Sequence, residues 1–314
     1  MRVVPYEAAH APAWDGFVAT ARNGTFLHQR AFMDYHAARF TDASVLVLGE
    51  KDEVLAVLPA NRDGDRVISH GGLTYAGLLL SGRVGQAQCL QIMEAILQHY
   101  RGLSVGRLLY KPVPHIFHTR PAEDDLYALF RLGATLVRRD ASTAVSLRDP
   151  YEFTKGRKWS VNKGRKAGLV LRRQDDPSRF HALLSQVLAR HGASPVHSLE
   201  ELRLLMSRFP AAIVLHEAEL PAEQQGELQA AVLVFDFGHV VHTQYMAASD
   251  AGRETGALDF LVAALMTDIY ADRRHFSFGI STEQAGQVLN EGLIAQKEGF
   301  GGRTVTHDFY ELIL

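Results

Sequence analysis

Apolar positions in the second half of the chain recur with two periods. Residues 168–174, an apolar Leu-Val-Leu run followed by polar residues, read as a short strand, and Pro177 opens a stretch with Phe180, Leu183, Leu184, Val187 and Leu188 on one helical face, ending at His191-Gly192. Ser198 and Glu201 form an S-x-x-E capping box for a further helix, which stops at Pro210. Strands are predicted over 211–218, 228–237 and 240–248, with a two-residue turn at Gly238-His239. A helix over 254–270 gathers Leu258, Leu261, Val262, Leu265, Met266 and Ile269 on one side. Strand 275–281, helix 286–297 and strand 303–313 close the chain.

The first half repeats nearly the same order. Strand 2–7 leads into helices near 12–22 and 29–39, then strands 43–50 and 53–60 and strand segments within 66–80. Helix 84–101, carrying Cys89, Leu90, Met93, Ile96 and Leu97, precedes strand 103–112, helix 122–132 and strand 135–147. Both halves read β-α-α-β-β-β-α-β-α-β, although their residues do not align. An α/β protein of two similar domains, 1–150 and 151–314, is therefore expected, as the 314-residue length also suggests.

Charge changes this picture at one place. Lys+Arg total 33 against Asp+Glu 35, a net charge of −2, which argues against a dedicated nucleic-acid binder. Yet Lys155–Lys166, at the start of the second half, has six basic residues in twelve and no acid. It reads either as a solvated helix or as a cradle for a phosphorylated ligand, with Lys158, Asn162 and Arg165 supplying polar contacts and Trp159 a stacking face. The lone cysteine, Cys89, excludes an internal disulfide and any multi-cysteine metal site, and it reads as an inert core thiol in a reducing, cytoplasmic setting. The fifteen histidines are scattered without ligand spacing, so no metal is expected. No apolar run is long enough for a leader or a membrane-spanning helix.

Met246–Ala257 runs from a strand into a helix. Gly252 and Gly256 would let backbone N–H groups approach a ligand, the helix N-terminus favours an anion, and Arg253 can neutralise a phosphate oxygen. The alternative is an ordinary strand–helix loop with a glycine cap.

Arg253-Glu-Thr-Gly256-Ala257 resembles the R-x-x-G-x-[GA] loop of the GNAT acyltransferases, although Leu258 stands at the last position, and the element order is that of their fold. Phe276–Glu283 followed by Leu289–Gly301, together with Val161–Gly168, resembles the FemAB-like tandem-GNAT group. Ser69–Tyr75 and His242–Tyr245 resemble a branch associated with surface-polysaccharide clusters. The resemblance implies two tandem GNAT-like domains and transfer of an acyl group from acyl-CoA to the amine of a nucleotide-diphosphate-linked amino sugar, by direct attack on the thioester.

On that resemblance, Met246, Ala247, Gly252, Arg253, Thr255, Gly256, Ala257, Asn290 and Lys297 would bind coenzyme A in the C-terminal half. Ser69, Gly71, Thr74, Tyr75 and Gln244 would bind the sugar nucleotide, with the basic segment. Glu283 or His70 would remove the amine proton, and Tyr245 would protonate the thiolate. Backbone N–H groups around Tyr245–Ala247 would face the oxyanion. A FemABX-type aminoacyl-tRNA transferase and a catalytically inactive binding module are the alternatives.

Overall fold

The computed structural model describes residues 1–190, 192–224 and 226–314; the helix end expected at His191 lies outside the described residues. The chain divides into two compact units. Unit 1 comprises Met1–Ala141, Thr282–Val288 and Thr306–Leu314, and unit 2 comprises Ser142–Ser281 and Leu289–Val305. This differs from the expected halves 1–150 and 151–314 for a physical reason. Tyr310–Ile313 pair antiparallel with Arg107–Tyr110, and Leu312 is buried in the unit 1 core.

Unit 1 has an antiparallel sheet in which Arg2–Pro5, Val45–Leu48, Val54–Leu58 and Leu79–Leu80 are neighbours in that order. Helix Gln86–Gly102 buries Cys89, Ile92, Met93, Ile96, Leu97 and Tyr100 into the core, a stripe with helical spacing. The helix expected at 29–39 is one short α-turn, Arg30–Met33, followed by 3-10 turns over Asp34–Arg39 that are kinked at His36.

Unit 2 opens with helix α1 (Lys155–Lys166) and strand β1 (Val170–Gln174). Helices α2 (Ser178–Ala189) and α3 (Leu199–Arg208) follow, then strands β2 (Ile213–Glu219), β3 (Leu228–Asp236) and β4 (Val240–Ala248). Helices α4 (Asp250–Thr255) and α5 (Ala257–Ala264), strand β5 (His275–Ile280) and helix α6 (Glu291–Glu298) complete it. The sheet runs β1-β2-β3-β4-β5, and Ser142–Ser146 pairs with β5 on its far side. β1 to β4 are antiparallel, and β4 pairs with β5 in parallel. The core lies between this sheet and α5, where Val232, Val234, Leu261, Leu265, Phe276 and Phe300 are buried.

Two expected helices are broken. The one over 254–270 is α4 and α5, separated at Gly256 with φ +75°, and it ends in a π-turn over Leu265–Ile269. The one over 286–297 begins only at Glu291, where the Asn290 side chain caps it by accepting from the Leu293 N–H at 2.9 Å. Among the described residues no helix is long and apolar enough to cross a membrane.

Candidate active site

β4 and β5 pair only over Val240–His242 and His275–Ser277, and from there toward Ala248 β4 has no register partner on β5. β4 also bulges: Leu233 faces Tyr245 and Val234 faces Thr243, so Gln244 is the extra residue. β5 shifts register against Ser142–Ser146 between Ser277 and Gly279. Two strands that separate within a sheet leave a cleft lined by backbone amides, a site type the fold can build without special side chains.

Past this opening lies a cavity of about 510 Å³, lined by Arg157 and Ser160 of α1, Val187 of α2, Met246–Ala248 of β4, and Gly252, Arg253, Gly256, Leu258 and Asp259 around the α4–α5 junction, with Gln296 of α6. Five of the residues expected to bind coenzyme A thus line one wall: Met246, Ala247, Gly252, Arg253 and Gly256. Arg157 holds Asp259 with both carboxylate oxygens at 2.7–2.8 Å, whereas Arg253 is exposed and makes no ion pair among the described residues. The cavity therefore offers apolar walls, one neutralised guanidinium and one available guanidinium.

The two glycines are also required by packing. A Cβ on Gly252 would lie 1.9 Å from the Gln229 carbonyl oxygen, and one on Gly256 would lie 2.5 Å from that of Ser160. They let α4 sit against β3, and the α4–α5 junction sit against α1. Nor is the start of α4 an open anion site. The Gly252 N–H donates to the Ser249 hydroxyl, and Asp250 occupies the first turn, paired with Arg190 at 2.6 Å. Arg253, exposed on the cavity wall, is the cation this segment presents there.

The other residues expected at the cofactor are elsewhere. Thr255 bonds back to the Gly252 carbonyl, and Ala257 is in the core. Asn290 caps α6. Lys297 is 3% exposed, and its ammonium donates to the carbonyls of Gly279 and Ile280 and to the Ser281 hydroxyl at 2.6–2.9 Å. It fastens α6 to the end of β5, and burial pushes its pKa down to about 8.

The basic segment is a full helix of unit 2. Arg157, Ser160, Val161 and Gly164 face inward, spaced i, i+3, i+4, i+7. Lys158, Trp159, Asn162 and Arg165, expected at the substrate, are on the solvent side; Trp159 is 67% exposed with the Lys163 ammonium 5.3 Å from its ring centre.

Tyr245 follows the bulged Gln244, and its hydroxyl lies 2.6 Å from Nδ1 of His197. The remaining residues belong to unit 1. Ser69 is buried and its hydroxyl accepts from the Lys111 N–H at 2.7 Å. Gly71 and Thr74 are exposed, with the Gly71 N–H bonded to Asn61 at 2.6 Å. Tyr75 is buried against Phe117 and His28. His70 takes φ +46°, and its carbonyl accepts from the buried Lys111 ammonium at 2.8 Å. Burial, with His36 and Lys111 beside it, pushes His70 down to about 3, so it is neutral at pH 7 but far less basic than the near-neutral imidazole expected of a general base. Glu283 is exposed on the two-residue strand Thr282–Glu283.

Sequence reasoning missed Arg157, Ser160, Asp259 and His197. The first two were legible from the inward helical stripe of α1; Asp259 and His197 reach their partners only through tertiary packing.

Residues 155–285 match a family model described as Acetyltransferase (GNAT) domain. No curated protein matches the chain in sequence. Among solved structures, FemX covers 100% of this chain and 98% of its own at 13% identity and TM-score 0.72. The C-terminal DUF2156 domain of a putative lysylphosphatidylglycerol synthetase from Agrobacterium fabrum covers 97% and 92% at 14% identity and TM-score 0.62. A tandem GNAT protein from the clavulanic acid biosynthesis pathway covers 99% and 98% at 14% identity and TM-score 0.55. The chain thus has a tandem GNAT fold, with its acyltransferase domain in residues 155–285.

Proposed function

We propose that this acyltransferase moves an acyl group from acyl-CoA to the amine of a nucleotide-diphosphate-linked amino sugar. The observation that carries the donor assignment is the parted β4–β5 pair opening beside the 510 Å³ cavity, inside the segment that matches an acetyltransferase domain. The residues present fit such a donor. Val187, Met246 and Leu258 offer apolar wall for a pantetheine-like chain, and Arg253 offers charge for a phosphate. Backbone N–H groups of β4 beyond His242 would stabilise the oxyanion that forms when the amine attacks the thioester carbonyl. The protein's remaining task is to hold amine and carbonyl in line. Ser69–Tyr75 and the buried His70 stay the proposed contacts of the sugar nucleotide, and Glu283 a proposed base, on the strength of the resemblance.

A second reading is FemABX-type transfer from an aminoacyl-tRNA to a peptidoglycan precursor. Fold likeness to FemX supports it, as does the outward basic face of α1, which suits a polyanion. Calorimetric titration with coenzyme A, and mass spectrometry of products from acetyl-CoA with a panel of nucleotide amino sugars, test the first reading. Coenzyme A binding and a product heavier by one acetyl group are expected. Silence in both, with RNase-sensitive transfer from charged tRNA, would overturn it in favour of the second.

A further inference from the structure

His197 sits between α2 and α3, far in sequence from β4, yet it is built onto Tyr245. The ring nitrogen Nδ1 is 2.6 Å from the tyrosine hydroxyl, and the two rings meet edge to face with centres 5.8 Å apart. His197 is 7% exposed. It is fixed from both sides. Its carbonyl oxygen is 3.2 Å from Nε2 of His181 in α2. The next residue, Ser198, caps α3, accepting from the Glu201 N–H and donating its own N–H to the Glu201 carboxylate. Phe180 of α2 lies beside the Tyr245 ring, with centres 6.4 Å apart. Burial holds the pKa of the Tyr245 hydroxyl above its usual value, and polar groups of Val196, His197 and Gln244 oppose that shift.

A tyrosine that needed only a satisfied hydroxyl would be served by one acceptor. Here the partner is a buried imidazole, itself fastened to α2 and α3, on an oxygen placed next to the bulge, where β4 leaves β5. With its proton on Nδ1, an imidazole so placed donates to the phenol oxygen, directs the phenol proton away from itself and prepares the oxygen to carry negative charge.

We infer that His197 is a positioning residue for acyl transfer, holding Tyr245 so that its O–H faces the departing sulfur. The inference rests on the acyl-CoA reading given above. In the step, the amine nitrogen forms the new C–N bond and the C–S bond breaks. The Tyr245 proton goes to sulfur. The N–H of His197 balances the resulting tyrosinate, and the proton lost by the attacking nitrogen returns to Tyr245 through solvent.

The test compares wild type, His197→Ala, His197→Asn and Tyr245→Phe, each checked for folding by circular dichroism. Asn places an amide N–H near the position of Nδ1. Acetyl-CoA binding is measured by calorimetry and turnover by thiol release with the nucleotide amino sugar panel. His197→Ala should lower kcat about 10- to 100-fold while the acetyl-CoA Kd stays within about 2-fold. His197→Asn should recover most of the loss. Replacing acetyl-CoA by the acetyl ester of 4-nitrothiophenol, whose thiolate leaves without a proton, should erase the difference between His197→Ala and wild type. Equal kcat in wild type and His197→Ala overturns the inference and leaves the acyl-CoA reading standing. So does a loss in His197→Ala that persists with the activated ester, since that marks a merely structural role. Should His197→Ala not fold, failure of His197→Asn to retain turnover overturns it. No binding of acetyl-CoA to wild type overturns the acyl-CoA reading and this inference together.

Discussion

Replacing Gly256 by Ala separates two reasons for a glycine at this junction. In the structure Gly256 has φ +75°, and an added Cβ would lie 2.5 Å from the Ser160 carbonyl oxygen and 2.7 Å from its hydroxyl. The left-handed backbone costs a residue with a Cβ roughly 1–2 kcal/mol. The contact cannot be relieved by a side-chain rotation alone, because one partner is backbone, so α1 must shift away from the α4–α5 junction. Overpacking of this kind costs about 1–3 kcal/mol. The two effects together predict a loss of about 2–5 kcal/mol in urea unfolding followed by circular dichroism. Because Arg157 and Ser160 move with α1, coenzyme A affinity should fall as well. Gly156→Ala is the control: it is on the same helix with nothing within 4 Å of its added Cβ, and it should stabilise by up to about 1 kcal/mol. If Gly256→Ala unfolds at the wild-type urea concentration and loses only ligand affinity, the packing argument is wrong and the glycine exists for backbone approach to the ligand.

Three further outcomes are expected. Burial pushes the Asp125 carboxyl, which accepts from the Tyr110 hydroxyl at 2.6 Å, up to about 7. In the unfolded chain it titrates near 4, so the folded state binds the extra proton between about pH 4 and 7; the group's contribution to stability falls as pH rises through that window and is flat above it. Asp125→Asn should therefore raise stability by on the order of 2–4 kcal/mol at pH 8 and hardly at all at pH 4; equal effects at both pH values would refute this. Cys89 is wholly buried, and burial with Asp125 and Asp124 nearby pushes its thiol up to about 12, so iodoacetamide at pH 8 should label it only after denaturation, as intact mass will show. Arg253→Ala should weaken coenzyme A binding about 3- to 10-fold and flatten its salt dependence, a calorimetric result that unchanged binding would contradict.

Much of unit 2 was legible because its elements follow simple periods. Strand 240–248 occurs where the Gly238-His239 turn opens it, and the Ser198–Glu201 box where capping chemistry places it. The loop 246–257 was found at the cavity because strand, glycine and arginine are adjacent in the chain. The bulge at Gln244 was not legible, since it is a property of the register between β3 and β4 rather than of either sequence. The basic segment shows how composition alone misleads. Its charge draws attention to Lys158 and Arg165, whereas the cavity receives Arg157 and Ser160, which the helical period selects. Lys297, expected at coenzyme A on the resemblance, lies elsewhere, and only the packing of α6 on the end of β5 shows where its three protons go. The kink at His36 and the left-handed His70 have no signal in residue type and follow from tertiary contacts.

The division of the chain also sets an order of events during synthesis. Unit 1 begins at Met1 but needs Thr306–Leu314, and its core includes Leu312. The core of unit 1 therefore cannot be completed until residues 306–314 have been made, long after residues 1–141. Its sheet of Arg2–Pro5, Val45–Leu48, Val54–Leu58 and Leu79–Leu80 must wait, with the Arg107–Tyr110 edge unfilled, while residues 111–309 are made. At about 5–20 residues per second that wait is on the order of ten seconds or more. An open strand edge exposed for so long invites pairing with other nascent chains, so the protein's vulnerability to aggregation should lie in its birth rather than in its finished state.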